Sequence, residues 1–306
     1  MINDAHCHFF SPQFFGTLAR QQLAMRAAPS AMVAASASEI CRQLQWDDPV
    51  AVHTLADRWV AELDRHGVNR AVLIASVPGD EPSVAEAVAR HPSRFVGFFM
   101  LDPSATDASD RARRALDELR LRGICLFPAM HHVALTDDRI RRIVELAAER
   151  PGVTVFVHCG VLTVGVRRKL GLPSHFDLRL GNPIEVGSLA LAFPKVPFVI
   201  PHVGAGLLRE ALMAADSCAN IHFDTSSSNS WIRYTPGLTL DAVFKAALAV
   251  VGPSRLLFGT DSSFFPRGWQ KGVYDTQRRI VDEAGVSTAD ASLIFGGNFE
   301  RLFPSG

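Results

Sequence analysis

Residues 153–158 read VTVFVH, an apolar run that ends in a histidine. The run is too short for a helix and is apolar at successive positions, which is typical of a strand buried on both faces of a parallel sheet. Seven other short runs share this character, and the sequence therefore predicts eight strands. With Val153–His158 they are Ile2–His6, Ala71–Ala75, Phe95–Leu101, Gly123–Phe127, Phe198–His202, Ile221–Asp224 and Leu256–Thr260.

Longer stretches with helical periodicity alternate with these strands. They are Leu55–His66, Ser83–Arg90, Ser109–Arg122, Asp138–Glu149, Glu185–Phe193, Leu207–Ala215, Leu240–Val250 and Thr276–Glu283. Eight strand–helix pairs predict an α/β protein with a (β/α)8 TIM-barrel fold. A doubly wound open sheet is the alternative, but no Gly-rich nucleotide fingerprint follows the first strand.

The whole chain, residues 1–306, is predicted to be a single domain with one helical insertion at about residues 9–48. The insertion follows the first strand, so it lies on the face where barrel strands end. Its apolar residues, which include Met25, Met32, Val33 and Trp46, need a surface to bury. We expect them to form a lid over the barrel mouth or a subunit contact, and we favour a homodimer.

Composition excludes several classes of partner. The chain has 31 Lys and Arg residues against 31 Asp and Glu residues, so it has no net field to attract nucleic acid or an anionic membrane. The expected partner is a small-molecule substrate. Five cysteines without close pairing indicate reduced thiols, and the absence of a signal or membrane segment predicts a cytoplasmic protein.

Several predicted strands end in residues that bind metals. His6 and His8 are two positions apart on an extended chain, so both rings point to one side. His158, His202 and Asp261 close the fifth, sixth and eighth strands. Because the carboxyl ends of barrel strands converge at the active-site face, these side chains are predicted to meet. Imidazoles with one carboxylate suit Zn²⁺, our first choice, while Mn²⁺, Fe²⁺ or Co²⁺ can use the same ligands.

An ordered set of motifs extends over nearly the whole chain. It comprises DAHCH at 4–8, VFVHCG at 155–160, NPIEVGSLALAFPKVPFVIPHVGAG at 182–206, SRLLFGTDSSF at 254–264 and IFGGNFERLF at 294–303. The set resembles the amidohydrolase superfamily, specifically the amidohydrolase-related (amidohydrolase 2) branch. That branch contains aminocarboxymuconate-semialdehyde decarboxylase, γ-resorcylate decarboxylase and pyrone-dicarboxylate lactonase.

The resemblance implies a role for each site residue. It makes His6, His8, His158 and Asp261 the metal ligands, and His202 and Asp261 the catalytic pair. Two-metal members carry a bridging lysine at the end of the fourth strand, where this chain reads GICLFP at 123–128. We therefore expect one divalent ion.

The resemblance leaves the reaction open. In a hydrolase, Asp261 accepts the proton of a metal-activated water and His202 polarises the substrate carbonyl. In a decarboxylase, one of the two delivers a proton to the carbon that loses carbon dioxide. A non-catalytic metal-binding relative is the third alternative. Arginines and aromatic residues on nearby loops suggest a small carboxylated aromatic or lactone substrate. The candidates for binding it are Arg167, Arg168, His175, Asn229, Trp231, Arg233, Phe264, Phe265 and Arg267.

Overall fold

Eight strands form the centre of the protein in the computed structural model, which describes residues 1–25, 34–174, 176–226 and 229–304. They are β1 (Asn3–Phe9), β2 (Arg70–Ala75), β3 (Phe95–Leu101), β4 (Gly123–Leu126), β5 (Thr154–Val157), β6 (Phe198–Pro201), β7 (Ile221–Asp224) and β8 (Leu256–Leu257). Each strand pairs in parallel with the next one along the chain. The predicted parallel sheet is confirmed.

The last strand segment returns to the first. Ala5 N donates to Phe258 O over 2.8 Å, Asp261 N donates to His6 O over 2.9 Å, and Cys7 forms a parallel bridge with Ser262. These contacts bring the two ends of the sheet together, as a barrel requires. The predicted (β/α)8 TIM barrel is confirmed.

Helices surround the sheet and follow its strands. They are α1 (Pro12–Ala24), α2 (Ala37–Leu44), α3 (Val52–Arg65), α4 (Glu81–Arg90), α5 (Ala108–Asp117), α6 (Pro128–His131), α7 (Asp138–Ala148), α8 (Gly165–Lys169), α9 (Pro183–Ala192), α10 (Leu208–Ser217), α11 (Leu240–Val251), α12 (Lys271–Glu283), α13 (Thr288–Ser292) and α14 (Asn298–Leu302). The predicted helix at 109–122 ends earlier, at Asp117, because the chain turns back there with Arg120 in a left-handed conformation, φ 54°.

Several strands end at other residues than predicted near the open end of the barrel. β4, β5 and β6 each stop one residue early, at Leu126, Val157 and Pro201. The first strand continues to Phe9, so His6 and His8 lie within it, and its register shifts between Asp4 and Cys7. The eighth strand stops at Leu257 rather than Thr260. Beyond it the backbone of Gly259 passes so close to its neighbours that an added Cβ would lie 2.7 Å from Asp224 Oδ1. The chain leaves the sheet where it approaches the polar groups of β7.

Apolar side chains fill both faces of the sheet. Along β3, Val96, Phe98 and Met100 point into the barrel, whereas Phe95 and Phe99 face the helix layer. This alternation accounts for a run without polar residues.

The amino-terminal end of the barrel is sealed by the end of the chain. Phe299 and Phe303, in and just after α14, pack into the barrel core with Phe98. Glu300 accepts hydrogen bonds from Asn3 Nδ2 over 2.8 Å and from Arg70 Nη1 over 2.6 Å. The opposite end, where the strands finish, is the open one.

The predicted insertion is helical in its described part. Within it, α1 and α2 pack against each other and against Val77, Val166 and Leu170 at the open end of the barrel. Met32 and Val33 lie outside the described residues. These contacts are made within one chain, as expected of a lid, and the homodimer stays a prediction. Over the described ranges, no helix has the length and apolarity needed to cross a membrane.

Candidate metal centre

Three of the predicted ligands meet at the open end of the barrel. His6 Nε2 and His8 Nε2 are 3.2 Å apart, and Asp261 Oδ1 lies 3.1 Å from His8 Nε2 and 3.7 Å from His6 Nε2. One ligand atom from each residue lies within 4.8 Å of the others, so one ion can contact all three. Two imidazoles and a carboxylate are a donor set that Zn²⁺ and similar divalent ions accept.

The two histidines direct their Nε2 atoms at the cluster because other residues hold their Nδ1 atoms. His6 Nδ1 lies 2.6 Å from Asp224 Oδ2, and a carboxylate can only accept. His8 Nδ1 lies 2.7 Å from Ser76 Oγ, which donates its proton to Ile74 O. Ser76 therefore accepts from His8. Both imidazoles carry a proton on Nδ1, so Nε2 is the nitrogen through which each would bind an ion.

Charge at the cluster also favours a cation. Burial lowers the pKa of His6, but the carboxylates of Asp224 and Asp261 outweigh burial and raise that pKa to about 9. Burial raises the pKa of Asp261, whereas hydrogen bonding to His8 and the neighbouring imidazoles bring it well below its usual range. The pocket thus contains an ionised carboxylate, that of Asp261, which would attract a cation. The residues present fit a divalent ion.

His158, the fourth predicted ligand, lies in the same cavity but outside the set of three described residues. Its ring stacks on Phe127 with centroids 5.4 Å apart. Burial lowers its pKa, so the ring is neutral, as a ligand must be. Its Nδ1 is buried without a hydrogen-bond partner among the described residues, and a cation in the cavity would offset part of that cost.

His202 stands beside the cluster. Its ring centroid lies 5.3 Å from that of His6 and 5.5 Å from that of His158, and burial lowers its pKa. Its Nδ1 contacts Ser226, so Nε2 is the nitrogen directed at the cavity.

The backbone at the two predicted catalytic residues is unusual. His202 has φ 54° and Asp261 has φ 58°, and Val203 next to His202 has φ 48°. Residues other than glycine rarely adopt this left-handed region, and such strain clusters at functional sites. Asp261 and His202 are thus held in place by backbone conformations that the rest of the fold must stabilise.

A buried carboxylate behind the cluster ties β1 to the segment that carries Asp261. Asp4 Oδ1 accepts from His6 N over 2.9 Å and from Thr260 N over 3.1 Å, and Asp4 Oδ2 accepts from Trp269 Nε1 over 2.7 Å. Burial raises the pKa of Asp4, while these hydrogen bonds oppose the rise. Asp4 thereby fixes the spacing between ligands that come from opposite ends of the chain.

The cluster lies at the inner end of a cavity of about 560 Å³. One wall is aromatic: Phe10 stacks on Phe14 at 3.9 Å, and Trp46 stacks on Phe264 at 3.7 Å between ring centroids. Other lining residues are polar and include His131, His132, Asp102 and Arg167. The cavity therefore offers apolar surface for a ring and polar or charged groups for its substituents.

The predicted substrate residues divide by position. Arg167, Phe264 and Arg267 line the cavity, whereas Arg168 and Arg233 are exposed elsewhere. Trp231 is buried in the core at 3% exposure, and Phe265 packs on Trp59. Asn229 begins the 3-10 turn that holds Trp231 and is not among the residues lining the cavity. His175 lies outside the described residues. These placements leave three of the candidates in position to touch a substrate.

The sequence analysis did not identify Ser76, Asp224 and Ser226, which contact the Nδ1 atoms of the site histidines. Asp224 had a usable signal, because it ends a predicted strand as His158 and Asp261 do. The two serines had none, since serine after a strand is common in loops.

Fold and site together indicate a class: a (β/α)8 protein with a candidate divalent-metal site at the carboxyl ends of its strands. The family model described as "Amidohydrolase" matches residues 3–305. The chain belongs to this amidohydrolase family, whose members typically bind a divalent metal, and it is an enzyme of hydrolase or decarboxylase type. The non-catalytic alternative is not supported.

Solved structures agree in fold. A TIM-barrel protein from Bordetella bronchiseptica is 17% identical with TM-score 0.66, and 99% of this chain and 98% of that chain are covered. An amidohydrolase from Burkholderia multivorans with bound zinc is 16% identical with TM-score 0.61 over 100% of both chains. A probable 2-pyrone-4,6-dicarboxylic acid hydrolase from Acinetobacter baumannii, with citric acid bound, is 14% identical with TM-score 0.57, and 99% of this chain and 98% of that chain are covered. A search of curated proteins finds no match.

Proposed function

We propose that this enzyme is a hydrolase with one divalent ion that acts on a small carboxylated aromatic compound or lactone. The observation that carries the proposal is the combination found in one cavity. His6, His8 and Asp261 gather at its inner end, His202 stands beside them, and the lining includes both aromatic rings and the Arg167 guanidinium.

Four residues would hold the ion: His6, His8, His158 and Asp261. When bound, a divalent ion supplies Lewis acidity toward a substrate oxygen and a more acidic water. Asp261 is ionised at neutral pH, so its carboxylate can accept the proton that the attacking water loses. His202 presents Nε2 to the substrate oxygen on which negative charge develops.

A single ion is favoured by the end of β4. This strand finishes at Leu126 and is followed by Phe127, whose ring stacks on His158. Neither Leu126 nor Phe127 has a side chain that could bridge two metal ions. We propose zinc as that ion because two or three imidazoles with one carboxylate are common zinc ligands.

Arg167 is the residue proposed to bind the substrate carboxylate. Its Nε donates to Pro173 O over 2.7 Å and its Nη1 donates to Gln21 Oε1 over 2.5 Å. These bonds fix the guanidinium plane at the cavity wall, with Gln21 contributed by the helical insertion. A fixed guanidinium binds a carboxylate with little further loss of conformational entropy. The aromatic wall formed by Phe264 and Trp46 would contact the ring.

The test is a substrate screen on zinc-loaded protein, with pyrone and other lactone carboxylates beside neutral esters of the same rings. We expect hydrolysis of the carboxylated compounds, and about one zinc per chain by elemental analysis. Two tightly bound ions per chain, or a preference for the neutral esters, would contradict the proposal.

A decarboxylase is the second candidate, and the aromatic wall beside the cluster favours it. The ring centroids of His8 and Phe10 are 5.9 Å apart, so a carboxylate at the cluster would be partly removed from water. In this reaction Asp261 or His202 delivers the proton to the carbon that loses carbon dioxide. Measuring released carbon dioxide against ring-opened acid in the same screen separates the two reactions.

A further inference from the structure

Ser226 lies between the metal cluster and the catalytic histidine. It is fully buried, and its Oγ is 3.0 Å from His6 Nδ1 and 3.0 Å from His202 Nδ1. Its backbone carbonyl is 3.3 Å from His202 Nδ1 as well. Two arrangements fit these distances: the hydroxyl donates to His202 Nδ1, or His202 Nδ1 donates to the carbonyl.

The proton count selects one arrangement. His6 Nδ1 donates to Asp224 Oδ2, so it carries a proton and cannot accept one from Ser226. Asp224 also accepts from Ser226 N over 2.7 Å, which holds the serine in place. Among the partners that the described residues provide, the hydroxyl proton of Ser226 then has His202 Nδ1 as its acceptor.

We propose that Ser226 is a positioning residue that fixes His202 in the tautomer with its proton on Nε2. The alternative would leave the Ser226 hydroxyl without an acceptor among the residues that the structure describes, which is costly for a buried group. Ser226 thereby links the metal cluster to His202. Because the Nδ1 proton of His6 is donated to Asp224, the Ser226 hydroxyl donates to His202, and this determines which nitrogen of His202 is protonated.

This tautomer assigns distinct roles to the catalytic pair, an assignment that rests on the proposed function. His202 Nε2–H is a hydrogen-bond donor toward the cavity, suited to a substrate oxygen that gains negative charge. It can neither take the proton of water nor bind an ion through Nε2. Asp261 is therefore the proton acceptor, and His202 stabilises the developing charge.

The tautomer can be read directly by NMR of zinc-loaded protein labelled with ¹⁵N-histidine, with His202→Asn identifying the His202 signals. We expect a pyrrole-type Nε2 and a pyridine-type Nδ1 for His202. In Ser226→Ala, Nδ1 should take the proton and donate to the backbone carbonyl, so the two signal types exchange. Zinc content should be unchanged and kcat should fall roughly 10- to 100-fold, the usual effect of losing such a partner. Ser226→Thr should restore both.

Thr225→Val is the matched control. Thr225 is the neighbouring buried hydroxyl, and it bonds to Gln277 Oε1 over 2.6 Å instead of to a histidine. Its loss should leave the His202 signals as in the wild type.

A wild-type His202 with its proton on Nδ1 overturns the inference, and that spectrum needs no variant that might misfold. So does a Ser226→Ala spectrum in which the His202 tautomer is unchanged. The spectra do not depend on turnover: the expected tautomers in a protein that hydrolyses no carboxylated ring would refute the proposed function and support this inference.

Discussion

Replacing Asp224 by Asn isolates the contribution of one buried carboxylate to metal binding. Asp224 Oδ2 lies 2.6 Å from His6 Nδ1, and the two side chains are 0% and 3% exposed. The amide either offers its oxygen, a weaker acceptor than a carboxylate, or turns its NH2 toward His6. In the second case Nδ1 must accept, and the imidazole proton moves to the Nε2 that faces the ion. Losing such a partner typically costs 10- to 100-fold in metal affinity, about 1.4 to 2.7 kcal/mol.

The assay is zinc affinity measured by competition with a chromogenic chelator, with thermal unfolding of the metal-free protein to report folding separately. Asp102→Asn is the control, because Asp102 lines the same cavity but bonds to Ser104 and not to a ligand. We expect weaker zinc binding for Asp224→Asn alone. Wild-type affinity in a correctly folded Asp224→Asn protein would refute the assignment of Asp224 as the partner that orients His6.

Other predictions address the ligand set, the substrate and stability. His202→Asn should keep nearly full metal content while turnover falls by roughly 10²–10⁴-fold, whereas His158→Asn should lose metal and activity together; elemental analysis beside kinetics separates them. Arg167→Ala should raise KM for a carboxylated substrate about ten- to hundredfold, the value of a charge-assisted hydrogen bond, and should leave KM for the neutral ester unchanged. Burial raises the pKa of Asp80, which accepts from Ser11, from 3.8 to about 6. The protonated carboxyl therefore stabilises the fold fully below about pH 4, and the free energy of unfolding decreases by up to about 3 kcal/mol as the pH rises through 6. Denaturant unfolding of Asp80→Asn at a series of pH values should not show this decrease.

The sequence predicted the fold because the strands are apolar on both faces and recur with helices between them. Phe95–Leu101 and Ile221–Asp224 have the predicted bounds. The helix ends depend on equally local features: Asp137 caps α7, and Gly67 and Gly152 take positive φ beyond the ends of α3 and α7. What the pattern could not give was the end of β8, since the path after Leu257 depends on side chains of β1 and β7.

The site was predictable to the extent that its residues lie near the carboxyl ends of strands. His6 and His8 lie in the second half of β1 and Asp261 follows β8, and the structure brings them together. Loop residues were not predictable in this way. Arg167 and Arg168 are adjacent and chemically identical, yet only the first lines the cavity, because the short helix α8 directs them differently. Partners such as Ser226, 220 positions from His6, lie too far along the chain for any local pattern.

The closure of the barrel has a consequence for biosynthesis. His6 is synthesised before Asp261 and the β8 segment that pairs with Ala5, which follow more than two hundred residues later. Contacts this distant in sequence carry a large loop-closure cost and form slowly. A nascent chain therefore holds β1 without its final neighbour until the β8 segment has been made. Capture of the proposed ion is accordingly expected late in folding, and the supply of that ion should affect maturation of the finished enzyme more than the yield of folded chains.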